Sequence, residues 1–575
     1  MNNRDYARVL EETSYLMQIK GVNRFRIRAF ENAARTIATY QGSIEDLLDQ
    51  GEVTSLSGIG DGIADQLHQI RTTGTSDQHE QLLEELDAGL LDLFKIQGLG
   101  PKRIKILYEE LDLTDLEMLR RAAEAGEIRS LKGFGTKTEE KILAEIERLQ
   151  ESGGRIPLPR AFDVAHSLRD QLLALDPVER IEVAGSLRRG RETVGDIDLL
   201  VATDDPVPIH EHFRTLLEVK EVLASGQTKT SVRLLNGIQV DLRTVEPRVF
   251  GSALHYFTGS KEHHVALRTR AKRQGLKISE YGVFRIGEES PLASRTEEEL
   301  FQALGLRYIP PELREGQGEI EAAENDTLPA LVQGDQILGD LHMHTVETDG
   351  RATLEEMVAA ARQRGYRYIA ITDHSQAVRV ANGMDPHRFA AQIDTIHALN
   401  DELDEFRLLA GIEVDILKDG SLDMDHELLA RCDWVVGSIH SHFGLSSEAM
   451  TQRLLRAIDT GLLSCLGHPT GRILGGRKGY DYDFDAVVEA AVERGVALEL
   501  NGSSGRVDLD AGLASRAHDL GALLVLGSDA HSTAGLDALR FAVQQARRAG
   551  LEASQVLNCL DVDELLSTIG RSAAD

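Results

Sequence analysis

Residues 181–201 read IEVAGSLRRGRETVGDIDLLV. Ile181 to Ala184 reads as a short strand, Gly185-Ser186 as a turn that delivers Arg188 and Arg189, and the following run as a second strand holding Asp196 and Asp198. Residues two apart on a strand point to the same face, so these two carboxylates can grip one pair of cations together. A third carboxylate comes from NGIQVDLRTV at 236–245, where Ile238, Val240 and Leu242 alternate with Gln239, Asp241 and Arg243, turning Asp241 away from the apolar face. Three carboxylates on neighbouring strands repel one another unless divalent cations compensate them, and two ions about 4 Å apart suit in-line phosphoryl transfer. A lone Asp-x-Asp is an ordinary solvated strand edge. With Gly185-Ser186 upstream it becomes a nucleotidyltransferase pattern.

On the N-terminal side, residues 1–150 read as helix after helix. Three segments repeat one design: SLSGIGDGIADQLHQI at 55–70, FKIQGLGPKRIKILYEEL at 94–111 and SLKGFGTKTEEKILAEI at 130–146. Each has an apolar residue, then Gly-x-Gly (Gly58 and Gly60, Gly98 and Gly100, Gly133 and Gly135), then an amphipathic helix. This is a helix-hairpin-helix: glycine permits the tight turn, and backbone N–H groups at the start of the second helix stay available to a phosphate. Three copies predict DNA-backbone binding without sequence preference. Lys20 to Arg35 adds a basic stripe that includes Arg26, and Lys261 to Lys277 a second one. Gly153, Gly154, Pro157 and Pro159 mark a domain joint.

Beyond 336 the texture changes to short apolar runs alternating with helical stretches, the pattern of repeated βα units. Several runs end in a potential ligand: YIAIT before Asp373-His374, LLAGI before Glu413, WVVGSI before His440, LLSCLG before His468, and LLVLGS before Asp529 and His531. LHMHTVETDG adds His342, His344 and Asp349. In a parallel barrel the C-terminal strand ends converge on one face, so distant residues meet in one pocket. Histidine and carboxylate without thiolate suit Mn²⁺, Zn²⁺ or Fe²⁺.

The motifs Gly185-Ser186-Leu187-Arg188-Arg189-Gly190, Gly195-Asp196-Ile197-Asp198, Asp241 and Tyr256-Phe257-Thr258-Gly259-Ser260 resemble the family X DNA polymerases over about residues 1–317. The resemblance implies a palm with a thumb-like part, and Mg²⁺ or Mn²⁺ as two ions on Asp196, Asp198 and Asp241, the last accepting the primer hydroxyl proton. It implies that Arg155, Ser186, Arg189 and Gly195 contact a dNTP triphosphate, and that Tyr256, Phe257 and Gly259 line the sugar pocket. Gln239 and His264 stand where better-known members often carry Arg and a base-reading Asn, which touches fidelity rather than catalysis. Gln66 occupies the position of the Schiff-base lysine in members that excise 5′-deoxyribose phosphate, so weak or absent lyase activity is expected, with Lys20 the nearest displaced candidate.

Residues 336–575 resemble the polymerase-and-histidinol-phosphatase (PHP) domain, a distorted seven-stranded (β/α) barrel with up to three metal ions. Nine positions match its ligand pattern: His342, His344, Asp349, His374, Glu413, His440, His468, Asp529 and His531. Arg379, Arg472, Arg477 and Lys478 are candidate phosphate clamps or plain surface charges, and His442 a supporting residue.

The expected organisation is therefore multidomain: an all-α helix-hairpin-helix region at 1–150, an α/β nucleotidyltransferase palm with thumb at 155–317, a linker at 318–335 and the barrel at 336–575. At 575 residues a single hydrophobic core is excluded. The three cysteines exclude a disulfide framework and a cysteine zinc site. No apolar run approaches the roughly 18 residues of a membrane span, and the polar start lacks a signal peptide, so a cytoplasmic, membrane-free and monomeric protein is expected. A formal charge of −31 argues against a polyanion partner only weakly, because phosphate affinity depends on local basic stripes. The expected function is gap-filling DNA synthesis on gapped or primed DNA in base-excision repair, coupled to end processing as 3′-5′ exonuclease, AP endonuclease or 3′-phosphatase. Two alternatives stay open: a polymerase fused to a small-molecule phosphatase, and a non-catalytic scaffold for DNA ends.

Overall fold

The structure, a computed structural model, describes residues 3–40, 42–86, 89–94, 96, 99–151 and 155–570. Its residues gather into two compact units, Met1–Arg155 with Glu211–Ala224 and Val232–Ile238, and Ile156–His210 with Ser225–Ser231 and Gln239–Asp575. No described helix is long and apolar enough to cross a membrane.

In the first unit the described residues up to Glu151 are helical, around a core that includes Leu10, Leu16, Ile37, Leu67, Ile104 and Leu107. The three Gly-x-Gly segments share one backbone geometry. The N–H of the residue between the glycine positions bonds three residues back, Ile59 to Leu56, Leu99 to Ile96 and Phe134 to Leu131, at 3.0–3.1 Å. The second glycine's carbonyl then opens the next helix, Gly60 accepting from Ile63 and Ala64, Gly100 from Arg103 and Ile104, and Gly135 from Thr138 and Glu139. Gly58 and Gly133 sit at φ +85° and +88°, where a side chain would be strained. Gly98, Gly153 and Gly154 lie outside the described residues.

In the second unit the strand Ile197–Ala202 pairs antiparallel with Arg180–Val183 and parallel with Gln239–Val245. The helices Phe250–Thr258, Lys261–Arg273 and Glu297–Ala303 and the hairpin Leu276–Ser279/Gly282–Arg285 follow. The 318–335 stretch expected as a linker carries a helix, Glu319–Glu324, tied down by a 2.7 Å contact between Glu319 and the His263 ring. Asp198 lies on its strand as expected, but Asp196 sits in the bend before it, since the strand begins only at Ile197.

The rest forms a seven-stranded parallel sheet in sequential order, from Gly339–Asp340 through Tyr368–Ile371, Arg407–Asp415, Trp434–Ser438, Cys465–Leu466 and Ala497–Asn501 to Leu524–Gly527. First and last strands meet through a parallel bridge between Met343 and Ala530 and the bonds Asp529 N–H to His342 O and His344 N–H to Ala530 O, so the barrel nearly closes. Its strands are buried on both faces, which explains the continuous apolar runs.

Candidate functional site

The parallel register sets Asp198 directly beside Asp241. Burial, then the charges of Asp196 and Asp241, push the Asp198 carboxyl up to about 7 against the pull of Arg243 and Lys229. Burial pushes Asp241 up too, but hydrogen bonds from Lys229 and Ser231 and the charge of Lys229 outweigh it and hold this carboxyl below its ordinary value. Three carboxylates whose charges act on one another in this way, Asp241 buried and Asp196 and Asp198 half-buried, are a donor set for divalent cations, which relieve that repulsion. Lys229 escaped the sequence reading. It forms an ion pair with Asp241, and Gln239 adds a 3.3 Å hydrogen bond to the same carboxylate. The positive charge absent at 239 is thus supplied from the neighbouring chain segment.

Gly185 approaches this group so closely that a Cβ would fall 2.3 Å from Asp198 Oδ2, and its φ is +62°. Only glycine lets the 185–190 segment pass here, and that passage aims the short Gly185–Arg188 helix. Arg188 makes a two-pronged bond to Glu297, 2.9 and 2.7 Å, and Glu297 also takes Arg314, whose side chain is fully buried. Arg189 donates through Nε to Glu315 at 3.2 Å and through Nη1 to the Thr258 carbonyl. A Cβ on Gly259 would meet Arg189 Nη1 at 2.9 Å. Tyr256 and Phe257 meet edge to face at the end of the Phe250–Thr258 helix, with the Arg243 guanidinium 4.3 Å over Phe257. His264 sits 2.9 Å from the Tyr256 carbonyl, and burial drives its ring down to about 4, so it is neutral at pH 7. Ser186 lies within the Gly185–Arg188 helix and Gly195 in the bend before Asp196. Arg155 belongs to the other unit.

At the barrel, the histidines and carboxylates at the strand ends converge. They form three groups able to hold a metal ion: His344, Asp349, His374 and His531; His342, His344 and Asp529; and His374, Glu413 and His440. Glu413 is the hub. Its oxygens lie 3.5 Å from His342, 3.7 Å from His344, 2.8 Å from His374, 3.4 Å from His440 and 3.0 Å from His468. All nine expected ligands are therefore in one pocket. Among the described residues, buried ring nitrogens of His342, His344 and His468 have no hydrogen-bond partner, a costly state for a dry polar atom and a proper one for a metal ligand. Burial raises the Glu413 carboxyl, but His440, His374 and His342 outweigh it and hold it well below the carboxylate range. Burial brings His344 and His468 down to about 4. It also lowers His440 and His531, but the carboxylates beside them prevail and bring both up to about 9.

Sequence reading missed the residues that orient these ligands. Glu499 accepts from His342 at 2.7 Å and from the His468 backbone N–H, and Asp415 lies 3.1 Å from His440 Nδ1. Asp373, which the sequence offered beside His374 as a potential ligand, instead accepts from the hydroxyls of Thr345 and Thr348 and from the Gln392 amide. The period-2 rule would have found Asp415, two residues beyond Glu413 on one strand; nothing local marks Glu499. Two of the candidate clamps are engaged elsewhere. Arg477 stacks 3.5 Å over Phe443 and donates to the Gly471 carbonyl, and Arg472 pairs with Glu192 at 2.6 Å. Arg506, among the described residues, reaches Asp529 at 3.4 Å.

In the first unit, a cavity of about 300 Å³ is lined by Arg26, Phe30, Gly58, Gly60, Gly62 and Gln66. Lys20 is not among its lining residues and forms an ion pair with Glu85.

Fold and centres together define a divalent-metal nucleotidyltransferase continuous with a metal-dependent phosphoesterase barrel. Family models match in the same order: a helix-hairpin-helix domain at 1–76, a SAM-like helix-hairpin-helix tandem at 90–148, the DNA polymerase beta palm at 155–234, the DNA polymerase beta thumb at 253–315 and the PHP domain at 340–503. The chain is 39% identical over 574 residues, the full length of both, to the DNA polymerase/3′-5′ exonuclease PolX of Bacillus subtilis strain 168. A probable phosphatase of Syntrophotalea carbinolica is 30% identical over 38% of this chain and 90% of its own, and the probable phosphatase YcdX of Escherichia coli O127:H6 33% over 34% and 78%. The chain belongs to the family X DNA polymerases that carry a C-terminal PHP domain.

Proposed function

We propose that the chain fills short gaps in DNA during base-excision repair and trims the 3′ end it extends. The observation that carries this reading is the presence, in one chain, of the Asp198–Asp241 pair and the Glu413-centred histidine pocket. Terminal 3′-phosphates and mismatches block extension, so a phosphoesterase joined to a polymerase restores a usable hydroxyl. In this reading the division of labour is 1–150 for DNA, 155–317 for synthesis and 336–575 for end processing. Gly58, Gly60, Gly98, Gly100, Gly133, Gly135 and Arg26 hold the DNA backbone, and gapped or primed DNA and dNTPs are the substrates. Ser186, Arg189, Gly195 and Arg155 bind the triphosphate, Asp241 accepts the primer hydroxyl proton, and Tyr256, Phe257, Gly259 and His264 select the sugar and base. Mg²⁺ or Mn²⁺ on Asp196, Asp198 and Asp241 supplies charge neutralisation for in-line transfer, and Mn²⁺, Zn²⁺ or Fe²⁺ in the barrel supplies Lewis acidity for phosphoester hydrolysis. Glu499 and Asp415 hold His342 and His440 in register for that task.

The test is a one-nucleotide gapped duplex, with and without dNTPs. Asp196→Ala with Asp198→Ala should abolish gap filling and leave 3′ trimming; His342→Ala with His344→Ala should do the reverse. Equal loss of both activities from either pair, with the fold intact, would refute the assignment. The relatives named as probable phosphatases favour a second reading, in which the barrel acts on small phosphate monoesters. Faster turnover of a nucleotide monophosphate than of a DNA 3′ end would select it.

A further inference from the structure

The barrel's Leu539–Arg548 helix has two partners. Leu539, Ala542, Val543 and Ala546 are buried in the barrel core. Other side chains of the helix face the palm, while Arg547 pairs with Glu312 and the Val332 carbonyl. Phe541 meets Phe162 edge to face at 5.5 Å, and Gln544 packs on Gly190 so tightly that a Cβ there would fall 2.5 Å from Gln544 Cγ. Gly190 also has φ +69°, so the approach depends on glycine twice over.

The polar contacts have a particular target. Gln545 Nε2 donates to the Gly190 carbonyl at 2.9 Å, and Arg548 Nη1 donates to the Arg189 carbonyl at 2.7 Å. These carbonyls follow the end of the short Gly185–Arg188 helix, where no further helical turn supplies donors. Arg548 also reaches Glu315 at 3.0 Å, and the same Glu315 oxygen takes Arg189 Nε at 3.2 Å. Burial pushes the Glu315 carboxyl up, but Arg189 and Arg548 outweigh it, so it stays charged between them. With Nη1 on the Thr258 carbonyl, Arg189 is held at its backbone and at two of its three guanidinium nitrogens. Its Nη2 makes no hydrogen bond among the described residues.

We propose that the barrel domain is a working part of the polymerase nucleotide site, with Arg548 and Gln545 as positioning residues that hold Arg189 aimed at the incoming triphosphate. The proposal rests on the reading that Arg189 binds that triphosphate. A guanidinium that must reach phosphate with the N–H groups left free loses affinity when its aim drifts, because a misplacement of about 1 Å costs up to about 100-fold in a positioned site. Loss of one tether out of several should cost less. The barrel then contributes to synthesis without its metal centre taking part.

The experiment uses the full chain on a one-nucleotide gapped duplex, with the dNTP titrated. Arg548→Ala should raise KM for dNTP about tenfold, with kcat within about twofold and 3′ trimming and DNA affinity unchanged. Arg548→Lys, which keeps one donor, should recover part of that loss. Arg189→Ala should raise KM further, and adding Arg548→Ala to it should change nothing more, since the tether then has nothing to aim. If Arg189→Ala leaves KM unaltered, the triphosphate reading itself fails. If Arg189→Ala raises KM and Arg548→Ala does not, or the two losses multiply, the positioning role alone fails. Should Arg548→Ala not fold, Gln545→Ala carries the same test through the Gly190 carbonyl: a raised KM with unchanged trimming supports the role, and an unaltered KM overturns it.

Discussion

Replacing Glu297 with glutamine removes one negative charge from between two arginines, one of which, Arg314, has no exposure to water at all. Burial by itself would raise the Glu297 carboxyl, but the charges and hydrogen bonds of Arg314 and Arg188 bring it down to about 2, from an ordinary value of 4.5. That difference is worth about 3 kcal/mol, which agrees with the roughly 3–5 kcal/mol lost when one partner of a buried ion pair is removed. A lowered carboxylate stabilises the folded state fully above its unfolded value of 4.5 and loses that contribution as pH falls toward about 2. The Tm deficit of Glu297→Gln should therefore be nearly constant from about pH 8 down to about pH 6. At roughly 2–4 °C per kcal/mol, the unfolding transition that contains the palm and thumb should drop by about 6–12 °C. Differential scanning calorimetry of the full chain measures this, and steady-state gap filling should give a raised KM for dNTP, since Arg188 precedes Arg189. A drop under about 2 °C with normal KM would refute the reasoning, as would a deficit that shrinks between about pH 8 and pH 6.

Asp415→Ala removes the acceptor beside His440 Nδ1 and should weaken metal retention or 3′ trimming by about 10- to 100-fold with gap filling intact, read by metal analysis after dialysis and by both assays. Gln66 lines the cavity of the first unit and its amide cannot form a Schiff base, while Lys20 is tied to Glu85. Borohydride trapping on a 5′-deoxyribose-phosphate substrate should accordingly capture little protein, and efficient capture lost on Lys20→Ala would overturn this.

Much of the molecule is written in local pattern. Six of the nine candidate ligands of the barrel, His374, Glu413, His440, His468, Asp529 and His531, follow short apolar runs in the sequence, and parallel strands leave their C-terminal ends on one face whatever the loops between them do. The three hairpins were legible because one backbone geometry demands glycine at fixed spacing. The carboxylate trio was legible from period-2 alternation, except that Asp196 belongs to the bend before its strand, and strand ends are poorly marked by alternation over so few residues.

What the tertiary structure decided are the partners of those residues. Lys229 meets Asp241 because two strands pair, Glu499 meets His342 from 157 residues away, and Arg188 meets Glu297 across 109. No periodicity encodes such pairs, since a side chain's alternation records which face it occupies and not what that face meets. The same holds for the Leu539–Arg548 helix. Its apolar residues Leu539, Ala542, Val543 and Ala546 record only the face turned to the barrel core, and only the packed chain brings Gln545 and Arg548 to two carbonyls 355 and 359 residues earlier. Local sequence determined which candidate groups stand at the strand ends and turns; three-dimensional packing determined which charges and donors hold them in place, because burial and electrostatic pairing are properties of neighbours in space.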